Sequence, residues 1–369
     1  MIQPQTIVKI TDNSGGKSGR VFKVLGGSKK RYAELGEMVV LAVQTAEPRK
    51  QVKKKDVVSV KHWQNMNGEL RFSVVTKEGQ GFNENDLLKR VGKFISEHAP
   101  IYPKIDHVAG RHLLVINPAD IHIGKYANSE ETGEDYNIPI AVSRVLKGIE
   151  GIIAKSKGFT IDRVLFCIGN DVLHIDNVYN TTTKGTPQDC DGKWWEHYEV
   201  ALQLYVKCVE MLRQIAPVDC VHSMSNHDYQ SGFHLAHALK SWFRKADDVS
   251  VDATVNHRKY YRYGKNLIGL EHGDGAKMDN LPLLMAQEKP QEWANTKYRY
   301  WYLHHLHHKV KHKWRDAKDF IGVTVEYLRS PSAADSWHNR KGFTGSPKAV
   351  EGFIHEYDNG QVARLTHFF

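Results

Sequence analysis

The chain has 369 residues, two to three times the usual length of one domain, so a large domain with a smaller one is the first expectation. Hydrophobic residues at 41% and charged residues at 25% describe a globular chain and exclude a disordered or fibrous one. No run approaches the ~18 apolar residues of a membrane span, the start MIQPQTIVKI lacks the pattern of a secretory signal, and four cysteines without a C-x-x-C pair fit reduced thiols. The expected setting is therefore cytoplasmic, with no membrane partner. A net charge of +9 suits an anionic partner, and 21 histidines are the unusual number.

In chain order, residues 1 to about 60 read as short strands and turns. Thr6–Ile10, Val21–Leu25 and Met38–Val43 are β-branched or apolar runs set apart by Asn13-Ser14-Gly15-Gly16 and Gly26-Gly27-Ser28. Basic residues cluster at Lys29–Arg31 and from Arg49 to Lys55. Leu87–Ile95 has helical spacing, and the stretch around Pro100 and Pro103 reads as a linker, which places the domain division at 1–105 and 106–369. From Arg111 the texture changes to strands alternating with amphipathic helices: Leu113–Ile116, helix Ile138–Ile153, Val164–Ile168, helix Trp194–Ile215, Val218–His222, helix Phe233–Phe243, Leu267–Leu270 and Tyr300–Leu303. Such alternation indicates an α/β domain.

The chemistry lies where the apolar runs end. They finish in Asp120-Ile121-His122, in Gly169-Asn170-Asp171-Val172-Leu173-His174, in Ser225-Asn226-His227-Asp228, in Glu271-His272-Gly273-Asp274 and in His304-His305-Leu306-His307-His308. Sites in α/β sheets form beyond the carboxyl ends of strands, so five such ends would build one polar cluster. Imidazole, carboxylate and amide donors without thiolate suit Mn²⁺, Fe²⁺ or Zn²⁺, and an Asp bridging two ions is the pattern of in-line phosphoester hydrolysis. Each piece alone reads as a turn or a satisfied histidine; five in series do not. Gly15-Gly16-Lys17-Ser18 imitates a P-loop tail, but Thr11 stands where its first Gly belongs, and no G-x-S-x-G elbow supports a serine hydrolase.

The series resembles the calcineurin-like metallophosphoesterase pattern D-x-H, G-D-x-x-[DH], G-N-H-[DE], H and G-H-x-H over about residues 111–369. The resemblance implies a four-layer αββα sandwich preceded by a small β-rich module, with two divalent ions, Mn²⁺ favoured and Fe²⁺, Zn²⁺ or Mg²⁺ as alternatives. It implies that Asp120, His122, Asp171 and His307 hold one ion and that Asp171, Asn226, His272 and His305 hold the other. It makes His227 a non-ligand general acid, oriented and raised in pKa by Asp228. Asp-x-x-His in the second motif is similar to DNA-repair nucleases related to the bacterial SbcD subunit, where His174 would be a second non-ligand histidine. Thr181–Asp189, His272–Lys277, Arg329–Ser332 with Asp335–Trp337, and Lys348–Phe369 resemble phage-encoded exonuclease-like metallophosphoesterases, which implies a bacterial or phage-infected cell. Ser225 and His304 depart from the family by standing where Gly is preferred, and Asn170 precedes the motif Asp.

Arg329 and Trp337 are candidate substrate contacts, Arg on phosphate and Trp on a base, and Lys309, Lys311 and Arg315 could track a nucleic-acid backbone. Separately, residues 1–58 resemble the first half of large-subunit ribosomal protein fourteen, a β-barrel that binds ribosomal RNA; half a barrel needs completion by residues up to about 100 or by another chain. The expected function is a binuclear-metal phosphodiesterase or nuclease with DNA or RNA as partner. The rivals are a phosphomonoesterase of phosphoproteins or nucleotides, and an RNA- or ribosome-binding protein with a secondary hydrolase domain. Oligomeric state is open.

Overall fold

The computed structural model describes residues 2–10, 16–25, 31–33, 39–46, 99–305, 317–342 and 345–369, and the strand backbones of 57–64 and 70–76. The chain divides into two compact units, Met1–Ile95 and Ser96–Phe369, rather than at 105. The reason is packing. Tyr102 stacks on Phe243 at 5.0 Å, Pro103 accepts from the Arg213 guanidinium at 3.0 Å, and His107 meets the Arg213 carbonyl at 2.8 Å, so the proline segment belongs to the second unit. Among the described residues, no helix is long and apolar enough to cross a membrane.

In the first unit, β1 (Ile7–Lys9), β2 (Gly16–Val24) and β3 (Val39–Ala46) form an antiparallel sheet. β4 (Val57–Gln64) and β5 (Leu70–Thr76) form a hairpin within the same unit. Ile2, Val8, Val21, Val24 and Ala33 make its small core. The helix expected at Leu87–Ile95 lies outside the described residues.

The second unit is mixed α/β. Six strands run in the order β16-β15-β6-β7-β8-β9, that is Gly360–Phe368, Ala349–Glu356, His112–Ile116, Ile161–Gly169, Val218–Ser223 and Val249–Asp252. Five more run β10-β11-β12-β14-β13, that is Lys259–Tyr263, Asn266–Leu270, Tyr298–Leu303, Val323–Tyr327 and Ala317–Phe320. Strands β6 to β9 are parallel to one another, as are β11, β12 and β14.

The alternation of side chains along a strand shows how the layers stack. Leu114 and Ile116 of β6 and Val164, Phe166 and Ile168 of β7 face one core, shared with helices α2 (Ile138–Ser156), α3 (Trp194–Leu212) and α4 (Tyr229–Trp242). Leu113, Val115, Leu165 and Cys167 face the opposite way, against Ile268, Leu270 and Tyr302 of the second sheet. That sheet turns Leu267, Trp301 and Leu303 outward onto α5 (Leu281–Glu288). The order is helix, sheet, sheet, helix. Strands buried on both faces read as continuous apolar runs, which is why β6, β7, β8, β11 and β12 are legible in the sequence. Short helices complete the chain: α1 (Ser129–Thr132) before α2, α6 (Pro290–Asn295) after α5, and α7 (Ser336–Arg340).

Candidate metal centre

The motif loops are zipped to one another by backbone bonds. The Asp120, His122 and Ile123 N–H groups donate to the carbonyls of Asn170, Asp171 and Val172 at 2.8, 2.9 and 2.7 Å. Asn170 donates to Ser223 at 3.1 Å and His304 to His272 at 2.8 Å. The His305 N–H reaches the Asp120 carboxylate at 3.2 Å and joins the two sheets. Gly169 has φ of 84°, and a Cβ there would sit 2.4 Å from the Ser223 carbonyl, so only glycine lets β7 and β8 end this close together.

Donor atoms of Asp120, His122 and Asp171 lie within 4.8 Å of one another, and so do those of Asp171, His272 and His305. Asp171 belongs to both groups. The Asn226 amide oxygen meets His272 Nε2 at 2.9 Å, which places it with the second group. A third group of the same tightness is His122, His174 and His227. His307, Lys309, Lys311 and Arg315 lie outside the described residues, as does the basic run from Arg49 to Lys55.

Electrostatics give this cluster its character. Asp120, Asp171 and Asp228 are all buried. Burial pushes the Asp120 carboxyl up to about 7, with the charge of Asp171 adding to the rise and His272 opposing it. Burial also lifts Asp228 to about 7, again reinforced by Asp171. For Asp171 burial is outweighed by the positive charge and hydrogen bond of His272 and by His227, which hold it well below the carboxylate range. His272 rises to about 9 against its own burial, through the ion pair with Asp171 at 3.1 Å. Burial drives His174 and His304 far down and His305 down. His304 keeps both ring nitrogens without a hydrogen-bond partner. Burial makes the charged form of the Asp120 carboxyl costly, and a divalent cation beside Asp120 and Asp171 would offset that cost and favour both as carboxylates. The oxygen and imidazole donor set fits such ions.

Asp228 does not touch the His227 ring. Its carboxylate accepts from the Leu173 N–H at 2.9 Å and from the Ser225 hydroxyl. His227 is held instead by its Nδ1, 2.9 Å from the His174 carbonyl, and its N–H donates to Asp171 Oδ1 at 2.9 Å. Since a carbonyl only accepts, Nδ1 carries the proton and Nε2 is the nitrogen that can exchange one. Ser225, a departure from the glycine of the pattern, has a purpose here: its hydroxyl accepts from the Asp171 N–H at 2.8 Å and donates to Asp228.

His122, His174, Asn226, His227 and His305 line a cavity of about 520 Å³, together with Asp335, Trp337, His338 and a loop that supplies Thr182, Lys184 and Thr186–Asp189. Arg329 is not part of that lining. Its guanidinium lies 4.0 Å from Glu351 and over the Phe368 ring, so the phosphate contact expected of it is not formed by this geometry. Sequence reasoning missed Lys125, which is 1% exposed and meets Asp335 at 3.1 Å; an isolated lysine gives no pattern that would mark it.

A family model described as ribosomal protein L14p/L23e matches residues 1–63, so the first unit is similar to that family over this span. Among solved structures, a double mutant of Vps29 from Entamoeba histolytica matches at 12% identity over 70% of this chain and 99% of its own, with a TM-score of 0.27. A superposition that loose carries no weight for architecture or activity. The geometry of the site has to carry the functional conclusion.

Proposed function

We propose that the chain is a phosphoester hydrolase dependent on two divalent metal ions, and within that class a phosphodiesterase or nuclease. The observation that carries this reading is Asp171, whose carboxylate is common to two donor groups at the joined edges of two sheets. Asp120, His122 and Asp171 would hold one ion; Asp171, Asn226, His272 and His305 the other. Such ions supply Lewis acidity toward a phosphoryl group, and the nitrogen and oxygen donors, with no thiolate among them, suit Mn²⁺, Fe²⁺ or Zn²⁺. His227 presents Nε2 to the cavity as the proton donor for a leaving oxygen, its ring fixed by the His174 carbonyl. The cavity, at about 520 Å³, is of the size that takes a nucleotide rather than a lone phosphate.

The test compares bis-p-nitrophenyl phosphate with p-nitrophenyl phosphate in chelated and Mn²⁺-reloaded protein. Turnover of the diester only after reloading is expected. Activity on the monoester alone removes the nuclease reading, and inactivity on both in protein shown to hold two ions removes the hydrolase. A second reading, an RNA- or ribosome-binding role, is favoured by the family match over residues 1–63. Co-sedimentation with ribosomes that is lost on deleting residues 1–58 is its expected signature.

A further inference from the structure

Two histidines lie side by side where the second sheet ends. Strands β11 and β12 run parallel with Leu270 opposite Tyr302, and the His304 N–H donates to the His272 carbonyl at 2.8 Å. Leu270 and Tyr302 face the first sheet, and His272 and His304, two residues further on, return to that side by strand alternation. Both rings are buried. Val115 and Val221 of the first sheet face the same layer, and Asn117 and Ser223 stand two positions beyond them, fully buried as well.

The His272 ring has two unlike ends. Its Nε2 is committed to the donor cluster, 2.9 Å from Asn226 Oδ1 and 3.1 Å from Asp171 Oδ2. Its Nδ1 is buried with no hydrogen-bond partner among the described residues, and the same holds for both His304 nitrogens, Ser223 Oγ and the Asn117 amide. Buried polar atoms are nearly always bonded, to an ordered water where the protein supplies no partner. His304 belongs to neither of the donor groups that share Asp171, so its geometry is not that of a ligand. A glycine, which the family pattern prefers at this position, or an apolar side chain would avoid the cost of burying an imidazole. The imidazole brings to the layer an acceptor that neither would. A histidine that holds a metal through Nε2 carries its proton on Nδ1, and its orientation depends on a partner for that N–H.

We infer that His304 is a positioning residue for the second ion: through one ordered water it accepts the Nδ1–H of His272 and keeps that ring turned so that Nε2 faces Asp171 and Asn226. The inference rests on the two-ion reading above, and the experiment separates the two. The full chain, freed of metal by chelation, is titrated with Mn²⁺ alone by isothermal calorimetry, and melting curves are taken in EDTA. Wild type is expected to take two ions. His304→Leu, close in size but without a polar side-chain atom, should weaken one of them roughly 10- to 100-fold and leave the other unchanged. His304→Gln, which restores an acceptor, should bind within about 5-fold of wild type. The leucine variant should melt in EDTA no lower than wild type, since an apolar side chain suits a dry layer. Tight binding of both ions by His304→Leu overturns the proposal and leaves the metal centre standing. A glutamine variant as weak as the leucine one overturns it too, as does a loss of affinity matched by a drop in melting temperature in both variants, which would assign His304 to packing. Wild type that binds no Mn²⁺ removes the two-ion reading and the positioning role with it.

Discussion

Asp171→Asn is the sharpest perturbation of the centre. The side chain is buried, receives the His227 N–H on Oδ1 at 2.9 Å and pairs with His272 through Oδ2 at 3.1 Å. Asparagine has the same shape but one acceptor fewer and no charge. If its oxygen stays on the His227 N–H, its amide faces His272 Nε2, which then must be neutral to accept. The loss is largest with metal present. A ligand at about 100 times its dissociation constant stabilises the native state by ~2.7 kcal/mol, so two ions add ~5 kcal/mol, or roughly 10–20 °C in melting temperature. Wild type should show that gain on adding Mn²⁺ and two ions per chain by elemental analysis; the variant should show under about 5 °C, at most one ion and almost no turnover. In chelated protein the sign of the pH effect is also fixed. His272 has its folded pKa raised to about 9 from 6.5, so its contribution is complete below the lower value and is lost as pH rises through the upper one. The stability gap between wild type and variant should therefore narrow between about pH 6 and about pH 10. A variant that binds two ions, gains the same melting temperature and turns over normally would refute the bridging role.

His227→Ala should keep both ions while turnover falls roughly 10²- to 10⁴-fold, less for substrates with good leaving groups; loss of metal in elemental analysis would make His227 a ligand instead. Asp335→Ala strands the buried Lys125 and removes the cap of α7, and should cost about 3–5 kcal/mol in urea denaturation; a change under about 1 kcal/mol would mean that Lys125 finds another partner. Ser225→Gly, although it restores the residue the family pattern prefers, should destabilise by about 1–3 kcal/mol, because the Asp171 N–H and Asp228 lose a shared partner in a dry site. Calorimetry showing it neutral would reduce Ser225 to a spacer.

Unbroken apolar runs decided which strands of the second unit were legible in the sequence. Strands β6, β7, β8, β11 and β12, covered on both faces, appear as apolar runs, and their ends bear the motif residues. Strands β9, β10 and β13 to β16 do not appear: Lys259-Tyr260-Tyr261-Arg262-Tyr263 and Ala317–Phe320 carry charges, β15 is buried but Glu351, Gly352 and His355 interrupt its apolar run, and β16 is mostly exposed or half-buried. Helix α4 starts at Tyr229, four residues before its apolar stripe, because Gly232 donates to the Asp228 carbonyl at 2.6 Å and pulls the weakly helical Gln230-Ser231-Gly232 into the first turn. The donor residues were legible because each carries its chemistry in its own side chain. Lys125, the clamp on His227 and the true partners of Asp228 and Arg329 were not, since they depend on which backbone carbonyl or distant carboxylate a fold brings near.

The backbone itself supplies a marker independent of any motif. Among the described residues, seven non-glycine residues have positive φ, and five of them are Asp120, His122, Asn170, Asp171 and His305, at 51°, 51°, 51°, 58° and 71°. A left-handed conformation costs an L-residue roughly 1–2 kcal/mol, so five together forgo an amount comparable to the net stability of a small domain, roughly 5–10 kcal/mol. The inter-loop bonds from Asp120, His122 and Ile123 and the two-faced cores beneath them must hold these turns in place. Asp, Asn and His are also the side chains that enter this region most readily, and they are the ones that bind metals. The motif thus satisfies two demands with one choice of residue: the sharp exit from the strand that turns a side chain toward the edge, and the donor atom it presents there. That coincidence is why a β-branched replacement at 120 or 171 would break the turn as well as the chemistry, and why only a substitution that keeps the turn, such as Asp171→Asn, separates the two.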